Sequence, residues 1–139
     1  MDTDRAKYEK DFEYVGDPWI GVDLDGTLAV LDKFVSPSNI GAPIPLMVER
    51  VKQWYLEGKR IKIMTARVSP NFHKAVGLMK ARGIEPAIKS WCHKHLGFVP
   101  ELTCEKDHLM IELWDDIKLV NVKRNTGEIN SDDYIIRIS

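Results

Sequence analysis

The chain has 139 residues, of which 44% are hydrophobic and 29% charged, a size that fits one domain with a real buried core. Twenty Lys and Arg against twenty-one Asp and Glu leave a net charge of -1, which argues against a protein that coats nucleic acid or an anionic membrane. No apolar run approaches the roughly 18 residues of a membrane span, Met1 to Lys10 lacks a signal-peptide core, and two cysteines, Cys92 and Cys104, cannot build a disulfide framework. A soluble cytoplasmic protein with no membrane partner is expected.

Residues 1–17 read as a polar N-terminal arm, and 1–139 as a single domain. Pro18 to Asp23 is short, apolar and partly β-branched, the pattern of a strand buried on both faces. Asp25, Gly26 and Thr27 end it with turn chemistry. Residues 28–44, with Ser36, Pro37, Ser38, Asn39, Gly41 and Pro43, read as a flap or loop. Ile44 to Gly58 is the clearest helix, with Leu46, Val48, Val51, Trp54 and Tyr55 near a 3.6-residue period. Pro45 suits its first turn and Gly58 its C-terminal end. Arg60 to Thr65 is the second strand. A second helix is expected from Ser69, a plausible N-cap, to about Arg82. Pro86 to Trp91 is expected to be a third strand, His93 to Lys106 irregular, and Leu109 to Trp114 a fourth strand ended by Asp115 and Asp116. Lys118 to Val122 and Tyr134 to Ile138 are candidate strands around the turn Asn125-Thr126-Gly127. Strands alternating with helices imply an α/β fold with a mainly parallel central sheet.

In such sheets functional groups collect at the C-terminal edge. The ends of three strands there carry Asp23 and Asp25, then Thr65, then Asp115 and Asp116. Four carboxylates in one small region repel each other and resist desolvation. A hard divalent cation with oxygen ligands, Mg²⁺, is the natural partner. Lys106 adds positive charge, and Thr65 a hydroxyl donor for an anionic substrate oxygen.

This ordered set resembles the haloacid-dehalogenase-like (HAD) superfamily of phosphohydrolases. Its first motif matches Asp23-Leu24-Asp25-Gly26-Thr27, its second Ile61-Lys62-Ile63-Met64-Thr65, its third Lys106, and its fourth Trp114-Asp115-Asp116. The resemblance covers about Trp19 to Asn121. The finer wording, with Thr65-Ala66-Arg67, Lys106-Asp107 and Asn125-Thr126-Gly127, is similar to small HAD-like proteins of phages and bacteria. The resemblance implies a HAD-like Rossmannoid three-layer fold with helices on both faces of the sheet. It also implies a Mg²⁺-dependent phosphatase. Asp23 would be the nucleophile, forming an aspartyl-phosphate. Asp25 would be the acid and base. Mg²⁺ would be held by Asp23, the Asp25 carbonyl and Asp116, with Asp115 directly or through water. Thr65 and Lys106 would bind the phosphoryl oxygens. Gly26 would permit the sharp turn and Thr27 brace it.

Simpler readings exist for single residues. Asp25-Gly26 is a common turn pair, and Asp115-Asp116 could merely end a strand. Arg67 either reaches substrate or is a solvated or helix-start arginine. Cys92, His95, Cys104 and His108 are spaced too irregularly for a common zinc motif. The cysteines are expected to be small buried groups, those histidines to lie in a surface loop, and His73 to be exposed. Trp54 and Tyr55 fit helix packing, and Lys59, Arg60 and Lys62 a solvated face.

Neither interval between the motifs has room for a cap domain, so the site should be nearly capless. An open site can accept a large substrate such as a nucleic-acid end or a phosphoprotein; alternatively a small substrate is covered by the flap or by a second subunit. A nucleotide or a phosphorylated nucleic-acid end is the expected substrate. Two other classes compete with the enzyme: a phosphate- or metal-binding regulatory module that does not turn over, and a structural protein whose acidic cluster is incidental.

Overall fold

A computed structural model describes residues 16–31, 36–116 and 119–130. Four strands form one all-parallel sheet in the order β3-β2-β1-β4: β1 is Trp19–Asp23, β2 Arg60–Met64, β3 Glu101–Thr103 and β4 Met110–Trp114. With the helices around this sheet, the protein has an α/β, Rossmann-like fold.

The central strand is apolar because it is enclosed. Trp19, Ile20, Gly21 and Val22 are all buried, and Asp23 is the first partly exposed residue. Ile20 and Val22 lie beside Ile61 and Ile63 of β2 in register. These four side chains share a core with Met47, Val48 and Val51 of helix α1, Pro45–Leu56. Pro45 opens α1 where no intrahelical N–H is needed. Leu46 and Tyr55 are exposed, contrary to the periodic reading. Tyr55 stacks on Phe98 instead, with ring centroids 3.7 Å apart.

The expected second helix is broken. Helix α2, Pro70–Val76, is capped by the Ser69 side chain, which accepts from the Phe72 N–H. Gly77 then leaves helical geometry at φ +94°, and a short α3, Leu78–Ala81, follows.

The expected strand at Pro86 to Trp91 is instead the middle of a long helix, α4, Ile84–Leu96. Its buried residues Ile84, Ile88, Trp91, Cys92 and Leu96 fall at helical spacing. Pro86 is tolerated because it sits in the first turn. Gly97 ends the helix in the left-handed region at φ +86°. Within the stretch expected to be irregular, residues 93–96 therefore belong to α4, and Glu101–Thr103 forms β3.

The segment from Cys104 to Leu109 crosses the sheet from β3 back to β4. Asp107 accepts from the Trp19 indole N–H at 2.8 Å and lies 3.8 Å from Lys62 Nζ. Lys62 in turn sits 4.5 Å from the centre of the Trp19 ring. At the start of the sheet Arg60 forks onto Glu101, joining β2 to β3.

Of the two late candidate strands, Tyr134 to Ile138 lies outside the described residues, as do Lys118 and residues 1–15 of the N-terminal arm. Val122 makes only an isolated antiparallel bridge to Ile129. No helix among the described residues is long and apolar enough to cross a membrane.

Candidate functional site

Parallel register gathers the expected residues at one edge. Asp23 pairs with Met64, so Thr65 follows beside it, and Val22 pairs with Trp114, so Asp115 follows on the other side. The result is a group of carboxylate oxygens from Asp23, Asp115 and Asp116 within 4.8 Å of one another. Trp114 steadies the strand end carrying two of them. Its ring lies 5.1 Å from that of Trp54 in α1, with the Arg50 guanidinium 5.3 Å over it.

The turn after β1 is shaped around the cluster. Gly26 adopts φ +89°, a region that disfavours side chains. A Cβ there would overlap Asp116 Oδ2, so the glycine is needed for space as well as for conformation. The buried Thr27 hydroxyl lies 3.3 Å from Asp116 Oδ1 and 3.5 Å from Asp23 Oδ2. Its single proton serves one of them at a time. Thr27 thus braces the turn, as expected, but through the carboxylates themselves.

Asp25 stands apart from this group. Its carboxylate receives a two-pronged hydrogen bond from Arg67, Nε to Oδ2 at 2.9 Å and Nη2 to Oδ1 at 2.8 Å. The remaining terminal nitrogen, Nη1, donates to the Pro37 carbonyl in the flap at 2.7 Å. Arg67 is only 4% exposed, so it is not a solvated arginine; it lies within the 3₁₀ turn Ala66–Val68 with its side chain held by Asp25 and Pro37. The Thr65 hydroxyl accepts from the Arg67 backbone N–H at 3.1 Å, capping the 3₁₀ turn Ala66–Val68. Accepting that bond leaves the hydroxyl proton available for donation. Thr65 itself is nearly enclosed.

Lys106 is exposed, three residues beyond Thr103, whose carbonyl accepts from the Thr65 N–H. The next residue, Asp107, is tied to Trp19 at the start of β1 and to Lys62, and no contact joins Lys106 to the carboxylates among the described residues.

The flap, as far as it is described, is fastened to the body. Ala29 bridges Pro43, the Val30 N–H donates to Ala42, and the Trp91 indole donates to the Gly41 carbonyl at 2.8 Å. An open groove of about 570 Å³ runs between flap residues Ser38 to Pro43 and the Trp91–His95 end of α4. Another cavity, of about 390 Å³, lies at the opposite edge around Pro18, Gly58 and Arg60, away from the acidic group.

The other sequence candidates are not assembled into a site. Cys92 is buried in the core and Cys104 half-buried. His95 is on α4 rather than in a loop, with its ring 4.8 Å from that of Trp91, while His108 is exposed. His73 is half-buried rather than exposed, and its Nε2 is enclosed. Among the described residues no group of these cysteines and histidines could hold a metal ion.

Sequence reasoning left Arg67 undecided because its role depends on Asp25 and Pro37, which are distant in the chain. Its signal was its place two residues beyond a strand-end threonine.

The chain is similar to the solved structure of a conserved protein coded by a locus from Bacteroides thetaiotaomicron, at 23% identity over 88% of each chain, with a TM-score of 0.47. No family model and no curated protein matches it.

Proposed function

We propose that the protein is a Mg²⁺-dependent phosphatase that hydrolyses a phosphate monoester through a phosphorylated Asp23, in the manner of the HAD superfamily its motifs resemble. The observation that carries this reading is the meeting of Asp23, Asp115 and Asp116 within 4.8 Å, at the edge that also bears Asp25 and Thr65. Three carboxylate oxygens are the hard donor set that Mg²⁺ prefers, with its other positions left to water and substrate. Asp23, Asp115 and Asp116 would hold the ion, with the Asp25 backbone carbonyl as a further donor. When bound it would offset the crowded negative charge and polarise a phosphoryl oxygen.

The residues of the chain then divide the work. An Asp23 oxygen attacks phosphorus, and the bond from phosphorus to the leaving oxygen breaks. Asp25 gives that oxygen its proton. Water next attacks the phosphorylated Asp23, the bond from phosphorus to Asp23 breaks, and Asp25 takes the water's proton. Each Asp25 oxygen accepts one N–H from Arg67 and keeps a further lone pair for this traffic. The Thr65 hydroxyl donates to a phosphoryl oxygen, and Lys106 reaches in from its exposed position.

The same reading favours an open site. The stretch between β2 and β3, where a cap could enter, is spent on α2 to α4, and α4 contributes Ile84, Ile88 and Cys92 to the core. A nucleotide or a phosphorylated nucleic-acid end fits such a site. A screen of nucleotides, sugar phosphates and 3′- or 5′-phosphorylated oligonucleotides, with and without Mg²⁺, tests it; Mg²⁺-dependent release of phosphate from the last class is the expected result, and no release from any class sinks the reading.

One observation favours a second reading. Arg67 holds both oxygens of Asp25, and a pair that stayed closed would leave Asp23 phosphorylated. The protein would then be a phosphate-binding regulatory module, recognised by a persistent aspartyl-phosphate without turnover.

A further inference from the structure

Arg67 carries a relationship that neither phosphate chemistry nor folding of the strands requires. Its guanidinium is 5% exposed at the side chain and bonds in two directions. One edge forks onto Asp25, at the end of β1, and the third nitrogen meets the carbonyl of Pro37, thirty residues back in the chain. Pro37 is itself buried. The arginine backbone is fixed in turn by the Thr65 cap at the end of β2. Three pieces of chain therefore meet on one planar cation.

We propose that Arg67 is a positioning residue that latches the flap to Asp25, so that placement of the flap over the site and orientation of the Asp25 carboxylate are one event. The planar guanidinium fits this task because its donors point in fixed directions and can serve a carboxylate and a carbonyl at once. An ammonium at the end of a lysine offers a point charge without the fork, so Arg67→Lys loses the coupling while keeping the charge. The flap's other ties, Trp91 to Gly41 and Val30 to Ala42, hold its far end. Among the described residues, the Pro37 contact joins the flap to the arginine that holds Asp25.

This assignment rests on the phosphatase reading only for its kinetic arm. The test uses the full chain carrying Arg67→Gln or Arg67→Lys. Hydrogen exchange is followed at the flap amides of Asn39 and Ile44, with the β1 and β2 amides as internal controls. Turnover of an aryl phosphate with Mg²⁺ is measured in parallel.

A latch gives at least tenfold faster exchange at the flap amides in both arginine variants, with the controls unchanged. It also gives a lower kcat with KM within about threefold, since positioning acts on the reacting complex. Wild-type flap exchange in a folded Arg67→Lys or Arg67→Gln protein overturns the proposal. So does a rise in KM with kcat unchanged. If the wild-type protein has no activity, the phosphatase reading has failed, and the exchange measurement alone decides the latch.

Discussion

Gly26 stands so close to the Asp116 carboxylate that a Cβ on the glycine would overlap Asp116 Oδ2 and lie 2.8 Å from its Cγ. The turn after β1 and the second residue after β4 are thus shaped to each other. Gly26→Ala meets two penalties, a non-glycine residue at φ +89° and a displaced carboxylate. The backbone penalty alone is about 1–3 kcal/mol. Urea unfolding should show a loss of at least that size, and any Mg²⁺-induced stabilisation should weaken with it. A variant with wild-type stability and Mg²⁺ response would show that Asp116 is free to move aside.

Mg²⁺ itself should stabilise the protein. A ligand at a hundred times its Kd, bound only to the folded state, adds about 2.7 kcal/mol. Asp115→Asn or Asp116→Asn removes one negative charge from a crowded group, so the metal-free variant should melt no lower than wild type. The rise in melting temperature on adding Mg²⁺ should shrink in the same variants. Calorimetric melting with and without Mg²⁺ checks both; a wild-type protein indifferent to Mg²⁺ would remove the cation from the account.

The two cysteines should react very differently. Burial pushes the Cys92 thiol up to about 11. Against an ordinary thiol near 8.5, this lowers its thiolate fraction at pH 8 by about two orders of magnitude. Cys104 is half-buried in the loop after β3. Iodoacetamide and mass mapping should find Cys104 modified in the folded protein and Cys92 only after denaturation. Equal labelling of both would mean that the α4 core opens readily.

Acid should weaken the ties of the segment 101–107. The hydrogen bond from Arg60 holds the Glu101 carboxyl below its usual range. For Asp107, burial acts upward, but the Leu109 N–H, the Trp19 indole and Lys62 together more than offset it and leave it below its ordinary value. A carboxyl lowered on folding stabilises the native state above its unfolded pKa, near 4, and ceases to do so as pH falls through the folded value. Both groups are largely exposed, so each effect is small. The urea midpoint should fall as pH drops below about 4.5, and Glu101→Gln with Asp107→Asn should make that fall shallower. An unchanged slope would place the acid sensitivity elsewhere.

Much of the site is legible in the sequence because it lies at strand ends. Asp23, Thr65 and Asp115 each follow an apolar strand, and parallel pairing leaves those ends at one edge. Pro86 to Trp91 misleads because Pro86 reads as a boundary, and the window misses the buried spacing of Ile84, Ile88, Cys92 and Leu96 in α4. β3 is three residues long and has no periodicity to read. Gly77 breaks a helix that its neighbours would allow to continue. Arg67 and its partners Asp25 and Pro37 belong to tertiary structure, where periodicity has nothing to say. The Thr27 contacts with Asp23 and Asp116 depend likewise on how the turn folds back.

The central claim is that Asp23 and its cation turn over a phosphate monoester. It is tested most directly by the steady-state hydrolysis of an aryl phosphate by the wild-type chain and by Asp23→Asn, each with Mg²⁺ and with EDTA. Wild type with Mg²⁺ should release phosphate over many turnovers, and either the substitution or chelation should reduce the rate by about a thousandfold or more. Turnover undiminished in Asp23→Asn, or its absence from the wild type with Mg²⁺, would contradict the account.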